Sequence, residues 1–366
     1  MSFEFATATR IVFGPGKLAD AGEIAQSLGK RALVVIGKSA AAVQRAEPLL
    51  RQLTEYATFS ITGEPTFDVV RAGTQRARDE RCDFVISFGG GSVIDTGKAI
   101  AMLLTNGGDP LDYAEVIGAG QPVTKASAPF IAIPTTAGTG AEVTRNAVLG
   151  SPEQRVKVSF RSPLMLPRVA LVDPEVVHAS VASRLDALTQ LIEPFVSNKA
   201  NPMTDALCRE GMRRWHEGGN ENWALAAMFS GMALTNAGLG AVHGFAGPIG
   251  GMFDAPHGVL CAALLPHVFA VNKRAVVVAS VPDADQAKPP GTAATTTLSR
   301  FEEVERTVGD LGQLCRALAI PSLRTYGVRR EDFPAIIAKA AASSSMKGNP
   351  IQLTDDKMQE ILANAF

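Results

Sequence analysis

Apolar residues in the first half of the chain fall in short unbroken runs, separated by stretches that repeat at helical spacing. The runs RALVVI (residues 31–36), DFVISF (83–88) and PFIAI (129–133) are rich in β-branched and aromatic residues, as strands covered on both faces are. Residues 40–53, 68–81 and 92–104 carry the helical pattern between them. This alternation predicts a doubly wound parallel sheet of the α/β class, in which ligands settle at the carboxyl ends of the strands. Past Leu171-Val172-Asp173-Pro174 the strand signals thin out, and helical patterns take over at 183–196, 202–215, 223–239, 301–318, 331–343 and 354–365. The expected organisation is an α/β domain over 1–175 and an all-helical domain over 176–366. Residues 280–299, rich in Pro, Ala and Thr, read as a mobile surface loop, and no internal repeat is present.

Each predicted strand ends in polar or glycine-rich residues that can line one crevice: Gly37-Lys38-Ser39, Gly89-Gly90-Gly91-Ser92, and Thr135-Thr136-Ala137-Gly138-Thr139-Gly140. The second is the most informative. Three glycines after a buried strand permit positive φ and let a phosphate approach the backbone, while Ser92 with Asp95 three residues on has the pattern of a capping box. Free amides at such a helix start face an anion, aided by the helix dipole. A tight strand-to-helix turn with no ligand would show the same glycines.

Composition narrows the classes. With 366 residues, 46% hydrophobic and 19% charged, the chain can bury a large core in two domains. Its 35 basic and 36 acidic residues are not segregated into runs, which argues against a nucleic-acid partner. Cys82, Cys208, Cys261 and Cys315 are scattered without C-x-x-C pairs, as reduced thiols of a cytoplasmic protein are. The longest apolar stretch, residues 259–271, is short and carries Pro266 and His267, so neither membrane insertion nor export is expected.

The second half holds another constellation. His243 and His257 lie 14 residues apart in a glycine-rich segment, and Asp186 and Gln190 are four apart on a predicted helix, hence on one face. A carboxylate and two imidazoles from neighbouring helices could enclose a divalent ion; core histidines with satisfied hydrogen bonds are the alternative. His178, His216 and His267 have no partner motif and read as surface or packing residues.

Together, the 89–98 segment, Pro134-Thr135-Thr136-Ala137-Gly138-Thr139-Gly140-Ala141-Glu142-Val143-Thr144, the 185–193 helix and the 243–257 segment resemble the iron-containing (group III) alcohol dehydrogenase family in order and spacing. The likeness runs from Val12-Phe13-Gly14 to Lys347-Gly348-Asn349-Pro350, nearly the whole chain. The resemblance implies an NAD(P)-dependent enzyme exchanging hydride between nicotinamide and a small alcohol, aldehyde or ketone, with a metal between a nucleotide-binding half and a helical half. It implies a homodimer or larger homo-oligomer. By position, Gly90, Gly91 and Ser92 resemble pyrophosphate contacts, and Asp95 a residue near the nicotinamide side. Thr135, Thr136 and Thr139 resemble threonines around the cofactor, and Lys157 a cofactor-facing lysine, against the alternative of a solvated surface lysine. The metal ligands map to Asp186, Gln190, His243 and His257, with the two histidines catalytic.

Two positions depart from the family pattern, which has histidine where Gln190 and Gly247 stand. Imidazole suits Fe²⁺ or Zn²⁺, whereas an amide oxygen is a weaker, harder donor that shifts preference toward Mg²⁺ or Mn²⁺ and lowers affinity. Gly247 removes a proton-relay group or opens room for a larger substrate. These departures favour an alternative, a metal-independent reductase similar to the maleylacetate reductases; a non-catalytic NADPH sensor is a second. Lyase chemistry of the dehydroquinate-synthase kind needs a richer basic phosphate site than the chain shows. At the end of the first of the three strands, Gly37 supplies no carboxylate to repel a 2′-phosphate, and Lys38 and Ser39 can hold one, which points to NADP(H) with NAD(H) open. Val148, Phe245, Met252 and Phe253 are candidate substrate neighbours.

Overall fold

The computed structural model describes all residues except 1, 116, 155, 254 and 281–291. Its first half is a six-stranded sheet in the order β1-β8-β5-β4-β2-β3, every pairing parallel. The strands are β1 (Arg10–Phe13), β2 (Ala32–Gly37), β3 (Tyr56–Ile61), β4 (Phe84–Gly89), β5 (Phe130–Pro134) and β8 (Val169–Val172), and an antiparallel hairpin, β6 (Asn146–Ser151) with β7 (Val156–Arg161), stands beside the sheet. Helices α1 (Ala21–Gln26), α2 (Ala40–Leu50), α3 (Phe67–Asp79), α4 (Gly91–Asn106) and the single turn α5 (Pro110–Tyr113) link them. The central strands β2, β4 and β5 are buried almost throughout, which is why they read as continuous apolar runs.

Strand order reverses between β2 and β4: the chain leaves β2 toward β3 at one edge, then returns to build β4, β5 and β8 on the other side. Ile36 pairs with Phe88, so Gly37-Lys38-Ser39 and the Gly89–Gly91 turn emerge side by side at this switch point, where the fold opens a ligand crevice.

After β8 the described residues are helical: α6 (Val181–Val196), α7 (Pro202–Glu217), α8 (Asn220–Ala237), α9 (Ala241–Phe253), α10 (His257–Ser280), α11 (Thr292–Val308), α12 (Leu311–Ala317), α13 (Phe333–Ala342) and α14 (Asp355–Ala365). Their shared core centres on Leu188, Phe195, Phe245, Leu264 and Phe301. The α/β architecture with a helical second half is as the sequence predicts.

Several local expectations change. Pro266 and His267 do not end a segment but lie inside α10, which runs 24 residues and is long and apolar enough to cross a membrane; it is largely buried in the helical core, and that explains its composition. The expected helix over 301–318 is two, because Gly309 adopts φ 88° and Asp310 caps a new start at Leu311 by accepting from the Gln313 amide. The supposed loop over 280–299 is helical from Thr292 onward, and the rest of it, 281–291, lies outside the described residues.

Candidate active site

The glycine turn forms, but not through the expected cap. α4 is capped by Gly90, whose carbonyl accepts from the amides of Val93 and Ile94, leaving those of Gly91 and Ser92 ahead of the first intrahelical bond. Asp95 does not close a capping box with Ser92; its Oδ2 accepts from the Val148 amide at 3.0 Å, tying α4 to β6. The glycines are there for close approach. A Cβ on Gly91 would lie 2.9 Å from Thr139 Cγ2, and one on Gly90 3.3 Å from Thr136. The glycine turn and the threonine loop after β5 therefore pack directly against each other, an approach that only a backbone without Cβ atoms allows.

The threonine loop in turn touches the helical half. A Cβ on Gly138 would stand 3.0 Å from Ser183 Cβ, and Gly140, at φ 58°, packs against the Gly231 backbone of α8 so tightly that neither position admits a side chain. Thr135 is buried, and its carbonyl accepts from the His178 amide at 2.9 Å, so His178 serves the frame through its backbone. Beneath the crevice, fully buried Lys98 donates to Ala141 O (2.9 Å), Thr144 Oγ1 (2.9 Å) and Asn146 O (2.6 Å), with Asp95 Oδ1 3.7 Å away. Burial pushes its ammonium down to about 8, although Asp95 and Glu142 pull the other way, and burial pushes the Glu142 carboxyl up to about 7.

At the β2 end Lys38 is exposed, while the Ser39 hydroxyl caps α2 by accepting from the Ala42 amide. Lys157 is not a solvated surface lysine: its side chain is 16% exposed, it pairs with Glu64 at 2.6 Å, and a Cβ on Gly250 of α9 would lie 3.3 Å from its Nζ. It thus faces the helical half across the gap. Val148, Met252 and Phe253 are half-buried, but Phe245 is wholly inside the helical core and has no access to a substrate.

Across the crevice, Asp186 and Gln190 lie on the buried face of α6, His243 in the first turn of α9, and His257 at the start of α10. Glycines again set the approach. A Cβ on Gly258 would come within 2.7 Å of Ala182 O, so α10 begins against α6 and brings His257 beside Asp186. α8 and α9 meet at a bend of 100° around Gly238, whose φ is 73°. The α9 start is then held by side chains. Glu193 Oε1 accepts from the Val242 amide (2.7 Å), Glu193 Oε2 lies 2.6 Å from His243 Nδ1, and Asn349 Oδ1 accepts from the Ala241 amide (3.1 Å). The Lys347-Gly348-Asn349-Pro350 stretch, far away in sequence, thereby positions this histidine.

With Nδ1 engaged by Glu193, His243 turns Nε2 inward, 3.6 Å from Asp186 Oδ1; His257 Nε2 is 3.8 Å from the same oxygen. Asp186 is 3% exposed, yet its Oδ1 has no hydrogen-bond partner, and neither does the buried Gln190 Oε1. An orphaned carboxylate oxygen beside two imidazole nitrogens, with a second carboxylate fixing one ring from behind, fits a divalent cation. Cys261, one turn past His257, joins them: the donor atoms of Asp186, His243, His257 and Cys261 all lie within 4.8 Å of one another. Sequence reasoning missed this cysteine, although its spacing of four from His257 on one helix was the available signal. Burial alone would raise the Asp186 carboxyl, but the neighbouring His243 and His257 imidazoles hold it below its usual range. Burial likewise opposes the Cys261 thiolate, and the two histidines more than offset it and bring the thiol down. His257 is raised first by Cys261, and His243 stands well above the ordinary imidazole value because its anionic neighbours outweigh burial.

Exchanging Glu193 for Gln keeps the side-chain volume but removes the charge behind His243, and is expected to weaken divalent-ion affinity about 10–100-fold, read by competition with a chromogenic chelator.

A parallel sheet with a glycine turn at its switch point, followed by helices that carry a carboxylate-imidazole cluster, is an arrangement suited to a dinucleotide-dependent, metal-assisted enzyme. The comparisons agree. The profile of the iron-containing alcohol dehydrogenases matches residues 8–174, and that of the C-terminal region of the Fe-containing alcohol dehydrogenase family matches 180–366. The chain belongs to this family of oxidoreductases acting on alcohols. It is 34% identical over 390 residues to the 1,3-propanediol dehydrogenase of Klebsiella pneumoniae, covering 100% of this chain and 99% of that one. It is 30% identical over 379 residues to the NAD-dependent methanol dehydrogenase of Bacillus methanolicus, covering 97% of each. Among solved structures, a 1,3-propanediol oxidoreductase superposes with a TM-score of 0.83 at 31% identity, covering 100% of both chains.

Proposed function

We propose that this chain interconverts a small primary or secondary alcohol and its aldehyde or ketone, using NADP(H) or NAD(H) and a divalent ion held by Asp186, His243 and His257, with Gln190 beside them. The observation that carries this reading is the orphaned Asp186 Oδ1 beside two imidazole nitrogens. When bound, the dinucleotide supplies the hydride donor or acceptor, and the ion supplies Lewis acidity toward the substrate oxygen. Gly90, Gly91 and Ser92 would hold the pyrophosphate at the α4 start, with Thr135, Thr136 and Thr139 forming the opposite wall and Lys157 and Asp95 further along the crevice. Domain division near residue 175 leaves each set of residues on its own body, and the cleft between them orients the two reacting carbons. His257 is 35% exposed where His243 is buried, so His257 is the histidine that can meet the substrate and pass a proton. Gly247 lies one turn past His243, and a Cβ there would meet no atom within 4 Å, which gives the substrate room. The relatives' named substrates, 1,3-propanediol and methanol, are small alcohols of the same kind.

Nicotinamide absorbance over a panel of aldehydes, keto acids and diols tests the reading: turnover with at least one class supports it, and dinucleotide binding with no turnover on any supports a sensor instead. For the cofactor, exposed Lys38 beside Gly37 favours a 2′-phosphate. Lys38→Glu is expected to lower kcat/KM for NADPH at least about tenfold relative to NADH, a shift of ~1.4 kcal/mol. The four cysteines are free and buried, which supports a cytoplasmic assignment. The sheet ends at β1, whose outer edge is available to a second copy, which supports a homodimer or larger homo-oligomer.

A further inference from the structure

We propose that Cys261 is the fourth donor to the ion held by Asp186, His243 and His257, making the centre a thiolate site selective for Zn²⁺ or Co²⁺ over Mg²⁺ and Mn²⁺. The inference rests on the cluster being an ion site, to which Cys261 would add a fourth protein donor, the substrate oxygen entering as a fifth. Cys261 follows His257 by one helical turn, so both side chains leave the same face of α10. Its Sγ lies 3.6 Å from His257 Nε2 and 3.8 Å from His243 Nε2. The carboxylate joins them, with Asp186 Oδ1 3.6 Å from His243 Nε2 and 3.8 Å from His257 Nε2, and all four donors within 4.8 Å.

Zinc–nitrogen and zinc–oxygen distances of about 2.0–2.1 Å and zinc–sulfur distances of about 2.3 Å give a tetrahedron with edges of roughly 3.3–3.6 Å. The four edges that join the imidazole nitrogens to Sγ and Oδ1 are 3.6–3.8 Å, and the other two stay within 4.8 Å, so a small inward movement of the donors closes the figure on an ion. Asp186 is 3% exposed and its Oδ1 has no hydrogen-bond partner, an independent sign that a ligand belongs in the space Cys261 faces. The other buried thiols are placed differently. Cys315 donates to the Ala262 carbonyl, and Cys208 packs in the helical core.

Chemistry separates Cys261 from Gln190 as the fourth donor. An amide oxygen leaves one carboxylate against a divalent charge, while a thiolate brings the centre to neutrality and adds a soft, polarisable donor that magnesium and manganese do not favour. Binding of the ion to Cys261 replaces the S–H bond with an S–metal bond, and the proton leaves to solvent with no change of oxidation state.

The test uses the full-length protein stripped of metal and titrated with Co²⁺, for the wild type, Cys261→Ser and Cys261→Ala. The wild type is expected to develop a near-ultraviolet thiolate-to-cobalt charge-transfer band. Both variants are expected to lose that band and to bind Co²⁺ at least about 10²-fold more weakly. Cobalt binding by the wild type without the band overturns the assignment of Cys261 and leaves the ion site standing. No cobalt uptake by the wild type overturns the ion site itself, and the assignment with it. The wild-type spectrum decides the matter even if a variant fails to fold.

Discussion

Alanine in place of His257 is expected to lower kcat by about 10²–10⁴-fold while leaving the dinucleotide dissociation constant essentially unchanged. The two effects separate because His257 begins α10 in the helical half, whereas the groups proposed to hold the dinucleotide are backbone amides and threonines that follow β4 and β5. Its imidazole is more exposed than that of His243 and stands 3.8 Å from Asp186 Oδ1, so its loss opens the cluster on its solvent-facing side. Steady-state kinetics with fluorescence titration of the dinucleotide measures both quantities. Unchanged turnover in the purified variant would remove His257 from the reaction.

The second large effect is on stability. Lys98→Met is expected to cost about 3–5 kcal/mol, measured by denaturant unfolding. The ammonium is fully buried, and it supplies donors to Ala141 O, Thr144 Oγ1 and Asn146 O, which carry the threonine loop into β6. Methionine fills the volume but leaves those acceptors unmet and Asp95 and Glu142 without their cation. The pH dependence gives the sign a separate check. Lys98 is held at about 8 in the fold, against 10.5 for a free lysine. Between those values the unfolded chain binds the extra proton, so this group makes stability rise with pH across the window. In the methionine variant that rise is expected to flatten. A variant as stable as wild type, with the same slope, would show that Lys98 does not hold the loop.

How far the sequence discloses this molecule depends on burial. β2, β4 and β5 are covered on both faces, so their apolar runs stand out; β3 alternates exposed and buried positions as an edge strand, and the hairpin β6–β7 is half-covered, so neither announces itself. α10 misleads because Pro266 suggests a break, yet a helix packed on several neighbours tolerates it. The 301–318 pattern hides a break because the helical period of α11 and α12 nearly continues across Gly309. The positions of Asp186, His243 and His257 were legible from motif spacing, but what surrounds them was not. Glu193 is seven residues from Asp186 on the same helix and Asn349 more than a hundred from His243, and only the fold brings both to the α9 start. Cys261 escaped notice because Pro256-His257-Gly258 looks like a loop, which disguises the single helical turn between histidine and thiol.

On the proposed reading, the cluster on α6, α9 and α10 holds an ion needed for turnover. That claim is tested most directly by metal content and activity measured together, on protein purified without chelator and again after chelation and dialysis. About one divalent ion per chain is expected, with activity lost in step with the ion and restored by adding Zn²⁺ or Fe²⁺. Full turnover from metal-free protein would contradict it and would leave the two histidines working through hydrogen bonds alone.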